Sequence, residues 1–151
     1  MVATDSYAYG AIGAYHSLQE TKPKYRMITV VTDNVSEKTQ QELVDSGLTL
    51  FVVPNKVFTN SFVTDDDRYR FTINKFYIHY LAKYFKKALY CDATVLFMDN
   101  CDSIIDNNSS NCFWGFVNPR YNQLRASGSL QLLYLDYSIY ERLINGDFDD
   151  Y

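Results

Sequence analysis

Three early runs in this chain are apolar from end to end: Met27-Ile28-Thr29-Val30-Val31, Leu48 to Val53, and Ala88-Leu89-Tyr90-Cys91. Successive side chains of a strand point to opposite faces, so a strand with one wet face alternates apolar and polar residues. These runs do not alternate, and both their faces must therefore be covered. That requirement points to an α/β fold with a mainly parallel, doubly wound sheet and helices on both sides.

The segments between the runs supply such helices. Ala8, Ala11, Ile12, Tyr15 and Leu18 mark one face of a helix over 7–20. Ser36 is placed to cap a helix that ends at Gly47, a residue suited to the position after a helix end. Phe71, Ile78, Leu81, Ala82 and Phe85 predict a helix over 71–86. Leu130 to Leu135 reads as a further strand, and Asp136 as the cap of a short helix ending near Asn145-Gly146. Val95 to Met98 reads as a short extended run, and 55–70 and 106–112 as loops. There is no internal repeat and no linker, so residues 1–151 are expected to form a single domain.

Polar residues stand where the strands end: Thr4-Asp5, Thr32-Asp33 and Asp92. Ligands of doubly wound sheets bind beyond the carboxyl ends of the strands, so these positions outline a candidate crevice. The opening residues Met1-Val2-Ala3-Thr4-Asp5 read as the last part of a strand entering a loop, and the chain is expected to begin inside its first strand.

Charge and composition narrow the function classes. The net charge is −4 and there is no basic patch to neutralise phosphates, which argues against nucleic-acid binding. The acidic triplet Asp65-Asp66-Asp67 reads as a solvated loop. No stretch reaches the roughly 20 apolar residues that cross a bilayer, so no membrane span is expected. Cys91, Cys101 and Cys112 have no metal-type spacing, and Cys91 lies in an apolar run as a buried thiol. This favours a reducing, cytoplasmic location. Asn107 and Asn108 each open an N-x-S triplet of the kind that chance supplies often. Fourteen Tyr and ten Phe either line a half-wet groove or reflect compositional drift. His16 and His79 have no partner motif and are read as structural or surface residues; Trp114 reads as a packing ring.

Asp92-Ala93-Thr94 follows the third apolar run. Transfer from a nucleotide-sugar must stabilise a departing diphosphate, and a divalent metal held by a pair of carboxylates is the usual means. Here only Asp92 is a carboxylate. Ala3-Thr4-Asp5-Ser6-Tyr7-Ala8-Tyr9-Gly10-Ala11 is similar to the opening strand, loop and Tyr-x-x-Gly-Ala helix start of family 8 glycosyltransferases of the glycogenin and galactinol synthase type. Phe71-Thr72-Ile73-Asn74-Lys75-Phe76, running through Asp92-Ala93-Thr94 to Asn100-Cys101-Asp102-Ser103-Ile104, resembles that family's lysine-bearing helix, Asp-x-Asp strand end and following Asn-x-Asp. Ala126-Ser127-Gly128 is a weaker third likeness. Order and spacing agree over nearly the whole chain.

The resemblance implies a Rossmann-like nucleotide-diphospho-sugar transferase (GT-A) fold, incomplete on its C-terminal side. It also implies metal-assisted, retaining transfer of a hexose from a UDP-sugar to an unidentified acceptor. Thr4 and neighbouring main chain would contact the nucleotide, and Tyr7 would stack on uracil. Lys75 would meet the donor sugar or phosphate. Asp92 would bind Mn²⁺ or Mg²⁺, and the Ala93 main chain would touch ribose or phosphate. Arg68 or Arg70 would reach the diphosphate. Ser127 joins the donor-binding set on the third likeness, and a homodimer is the assembly considered. No residue is assigned as catalytic.

The chain departs from the family in three places. Thr94 replaces the second Asp, which removes one negative charge and weakens metal binding. Ala126 stands where an Asn is usual. The family's later Asp-Gln segment and His-x-x-Gly-x-x-Lys stretch lie outside the 151 residues. The alternative reading is accordingly a degenerate UDP- or UDP-sugar-binding module or scaffold.

Overall fold

The computed structural model describes residues 1–2, 4–55, 72–107, 114–117 and 126–145. Among the described residues, strands and α-helices follow one another as α1 (Ala8–Glu20), β1 (Ile28–Thr32), α2 (Glu37–Asp45), β2 (Thr49–Val53), β3 (Lys87–Cys91), α3 (Asp102–Asn107), β4 (Trp114–Val117), β5 (Ala126–Tyr134) and α4 (Tyr137–Asn145). A short 3₁₀ turn, Asp5–Tyr7, leads into α1, and a 3₁₀ helix spans Thr72–Lys83.

β1 and β2 run parallel, with Ile28 opposite Thr49 and Thr32 opposite Val53. Val2 extends this parallel sheet on the other side of β1. Its N–H donates to the Val30 carbonyl at 2.8 Å, and its own carbonyl accepts from the Thr32 N–H at 3.1 Å. β3 differs from the first two apolar runs. It pairs antiparallel with β5, which pairs antiparallel with β4, in the order β3-β5-β4. An apolar run records two covered faces but not the direction of its neighbour, so this part of the topology is not written in β3 itself.

The two faces of β1 are covered by different layers, as its lack of alternation requires. Val31 packs with Val2, Ala8, Ala11, Leu43 and Leu48, beneath α1 and α2. Val30, one residue away and on the opposite face, packs with Val53, Tyr77, Ile78, Leu81 and Tyr90. The second layer is completed by α4, where Tyr140 lies 5.8 Å from Tyr77 and 5.1 Å from Tyr80, ring centre to ring centre.

Local signals place the helix ends. The Ser36 hydroxyl accepts from the Thr39 N–H at 3.2 Å and caps α2. At the other end the Gly47 N–H reaches the Val44 carbonyl and the Leu48 N–H the Leu43 carbonyl, a Schellman closure that holds Gly47 at φ +93°. Asp136 accepts from the N–H and hydroxyl of Ser138, both at 2.8 Å, and starts α4.

The helix expected over 71–86 is a 3₁₀ helix, with three residues per turn rather than 3.6. That period puts Lys75, Ile78 and Leu81 in one row. The row forms a wall of a cavity of about 870 Å³ between β1 and β3. Residues 95–98, expected to be extended, form no strand; they lie along α1. Asp65-Asp66-Asp67, Arg68, Arg70, Asn108 and Cys112 lie outside the described residues, as does most of the loops read at 55–70 and 106–112. Among the described residues no helix is long and apolar enough to cross a membrane.

Candidate donor-binding site

Asp92 follows β3 directly, and its N–H donates to the Ser129 carbonyl at 2.8 Å, so the end of the sheet fixes its backbone. Its carboxylate is engaged from two sides. Lys75 Nζ lies 3.1 Å from Oδ1 and 3.3 Å from Oδ2, and the Tyr90 hydroxyl donates to Oδ1. The Lys75 and Asp92 side chains retain 33% and 24% of their exposure, so the pair is reachable from solvent. The Lys75 ammonium also stands 5.8 Å from the Tyr90 ring centre. Burial first, and then the hydrogen bond to Asp92, push the Tyr90 hydroxyl pKa well above its usual value, so Tyr90 remains a donor. Lys75, Tyr90, Asp92 and Ala93 all line the cavity between β1 and β3.

α1 reaches this place through a glycine. A Cβ built on Gly10 would stand 2.3 Å from the Ala93 carbonyl oxygen, so only glycine lets the helix sit there. The contact continues along α1. Leu96 lies 3.6 Å from the Cβ position of Gly13, and the Phe97 N–H donates to the Ser17 hydroxyl at 3.0 Å. Tyr7, at the start of α1, is about one turn before Gly10 and is 49% exposed. Thr4, one turn earlier, accepts from the Tyr7 N–H at 3.1 Å and shares a hydroxyl contact of 2.8 Å with Ser6.

The structure therefore brings Lys75, Asp92 and Ala93 together, with Gly10 of α1 against Ala93; Thr4 and Tyr7 precede Gly10 in the turn that leads into α1. Ser127 contributes main chain to β5. The other strand-end carboxylates hold backbone. Asp5 accepts from the Ser36 N–H at 2.9 Å, a bond that lowers its pKa, and Asp33 accepts from the Asn55 N–H at 2.8 Å. His79 is structural: it is buried, and its Nδ1 accepts from the Asp136 N–H at 3.2 Å. His16 is exposed, with its ring edge against Tyr15.

Two features escaped the sequence reading. Tyr90 was assigned only to an apolar strand, yet residues two apart on a strand share a face, and that spacing alone could have aimed its hydroxyl at Asp92. Asn100-Cys101-Asp102 does structural work. Asn100 Nδ2 donates to the Thr21 carbonyl at 3.2 Å and to Asp102 at 3.0 Å, and Asp102 accepts from the Lys24 N–H at 2.9 Å. The motif thus ties the end of α1 to the start of α3.

Both Asp92 oxygens face the Lys75 ammonium and one also takes the Tyr90 hydroxyl. Thr94 is exposed and neutral. No group of three His, Cys, Asp or Glu that could hold a metal is found among the described residues. This donor set fits Mn²⁺ or Mg²⁺ poorly: such ions are held by one or two free carboxylates together with phosphate oxygens and water, and Asp92 is already engaged by Lys75 and Tyr90.

No protein-family model and no curated protein sequence matches the chain. Solved structures do. The chain is similar to the galactosyltransferase LgtC in complex with donor and acceptor sugar analogs, with a TM-score of 0.72 and 16% identity over 96% of this chain and 62% of that one. It is also similar to an active-site mutant of LgtC, with a TM-score of 0.73 and 16% identity over 99% of this chain and 65% of that one. The fold is of the GT-A glycosyltransferase type. The chain spans less than two thirds of the length of either LgtC chain. The likeness reaches a galactosyltransferase.

Proposed function

We propose that this chain is the donor-binding part of a glycosyltransferase, and that it holds a UDP-sugar at the end of β3 for hexose transfer to a separate acceptor. The observation that carries the reading is the meeting of α1 with the β3 end: Gly10 sits on the Ala93 carbonyl, beside the partly exposed Lys75–Asp92 pair. A diphosphate needs a positive group held where it can be met, and Lys75 is such a group. A uracil ring needs an apolar face, and half-exposed Tyr7 offers one within a turn. Retention of anomeric configuration belongs to the proposal through the family resemblance. Metal assistance is left out of it, because Asp92 is already committed to Lys75 and Tyr90.

The test is calorimetric titration of the chain with UDP, UDP-galactose and UDP-glucose. Saturable binding that weakens in Tyr7→Ala supports the reading, and absence of binding to all three would sink it. A second reading, a module that holds UDP or a UDP-sugar without turnover, is favoured by one observation: Thr94 stands in place of the second carboxylate. Hydrolysis or transfer of the sugar by the protein separates the two.

A further inference from the structure

We propose that the diphosphate at this site is held by Lys75 itself, without a divalent cation, and that Asp92 positions Lys75 rather than ligating metal. The inference rests on the donor-binding reading above and adds the charge logic of the site.

The argument is one of balance. A metal site of the two-carboxylate type sets two negative side chains around a doubly positive ion. Here Thr94 is neutral and one negative side chain, Asp92, stands against one positive side chain, Lys75, at 3.1 Å. Between these two side chains the charges cancel in the same way, with the ammonium taking the place of the ion. A divalent cation bound to Asp92 would have to share that one carboxylate with the ammonium, and the two positive groups would repel each other.

The geometry suits an ammonium that still has work to do. Lys carries three N–H donors and no acceptor. Nζ lies 3.1 and 3.3 Å from the two Asp92 oxygens, and both side chains keep some exposure, so a remaining donor can face an incoming phosphate oxygen. The Tyr90 hydroxyl adds a third donor to the carboxylate. The 3₁₀ period aligns Lys75 with Ile78 and Leu81 along the cavity wall, which anchors the base of the lysine while its tip reaches the β3 end. Lysine is well suited to holding phosphate as a point charge.

The experiment uses inorganic pyrophosphate and UDP as separate probes, each titrated with chelator and then with Mn²⁺, on the wild type and on Lys75→Met, Lys75→Arg and Asp92→Asn. The expected result is binding of both probes in chelator, changed less than about threefold by Mn²⁺. Lys75→Met should lose on the order of tenfold or more, as expected for a charge-assisted hydrogen bond, while Lys75→Arg keeps most of the affinity. Asp92→Asn should retain chelator-insensitive binding, whereas a metal ligand could not be replaced so. Circular dichroism and the urea midpoint of each variant separate misfolding from lost binding. Binding of either probe that appears only with Mn²⁺, or that Mn²⁺ strengthens tenfold or more, overturns the inference and leaves the donor-binding reading standing. Pyrophosphate binding without UDP binding does the reverse. Failure of both probes under every condition overturns both.

Discussion

The backbone of Gly10 in α1 rests on the carbonyl of Ala93, so closely that a Cβ would stand 2.3 Å from that oxygen. The obstacle is backbone at the end of β3, which cannot swing aside as a side chain can. Gly10→Ala is expected to destabilise the fold by about 1–3 kcal/mol through overpacking, despite the better helix propensity of alanine. Gly13, one turn on, meets only Leu96 Cδ2 at 3.6 Å, an ordinary contact. Gly13→Ala should be neutral or stabilising by up to about 1 kcal/mol. Urea denaturation of the two variants checks the pair. Equal effects would remove the close approach of α1 to Ala93 from the account.

His79 supplies a pH dependence with a defined sign. Burial lowers its pKa below the ordinary 6.5, partly opposed by the Asp136 carboxylate. Its Nδ1 accepts the Asp136 N–H, so the folded state wants the neutral ring, and protonation at Nδ1 would break the bond. A depressed histidine contributes stability that is present above 6.5 and is lost as pH falls toward the folded-state value. The wild type should therefore lose stability as pH falls below the ordinary 6.5, while His79→Asn, which keeps an acceptor, should lose less over the same fall. The slope of the urea midpoint against pH is the measurement.

Much of the fold was legible because its signals are local. The apolar runs became β1, β2 and β3, Ser36 and Gly47 bracket α2, and Asp136 starts α4. What was not legible depends on partners distant in sequence. Nothing in Ala88-Leu89-Tyr90-Cys91 reveals that β5 pairs antiparallel with it, because side-chain burial is blind to strand direction. The 3₁₀ character of Thr72–Lys83 was hidden because Ile78, Leu81, Ala82 and Phe85 satisfy spacings of three and four alike. In the candidate site, Lys75 and Asp92 were each singled out, but their ion pair spans seventeen positions and closes only through packing. Six-residue α3 was missed because Asn100 was read as part of a site motif rather than as the start of an Asx turn onto the Asp102 N–H.

That structural role of Asn100 can be separated from a role in binding. Its side-chain amide donates to the Thr21 carbonyl at the end of α1 and to Asp102, and its oxygen accepts the Asp102 N–H at 2.8 Å. Asn100→Ala removes these bonds from an exposed position and should cost about 1–2 kcal/mol, the size of a lost cap. UDP affinity should stay within about twofold of wild type, because the bonds serve the far end of α1. A large loss of UDP affinity with unchanged stability would return Asn100 to the donor site.

Tyr7 gives the opposite pattern, and the contrast tests the placement of the crevice. Its ring is half exposed at the start of α1, and the buried contacts of that turn belong to Ala8 and Ala11 instead. Truncation to Ala should leave the urea midpoint nearly unchanged, within about 0.5 kcal/mol for a surface site. Stacking of a base on an aromatic ring contributes about 1–3 kcal/mol, so Tyr7→Ala should weaken UDP binding by roughly 5- to 150-fold. Pyrophosphate binding should be untouched by the same substitution, because the ring has no part in holding phosphate. Calorimetry with the two ligands side by side makes the distinction. Equal losses for UDP and pyrophosphate would mean that Tyr7 supports the phosphate end or the fold, and the uracil would have to lie elsewhere.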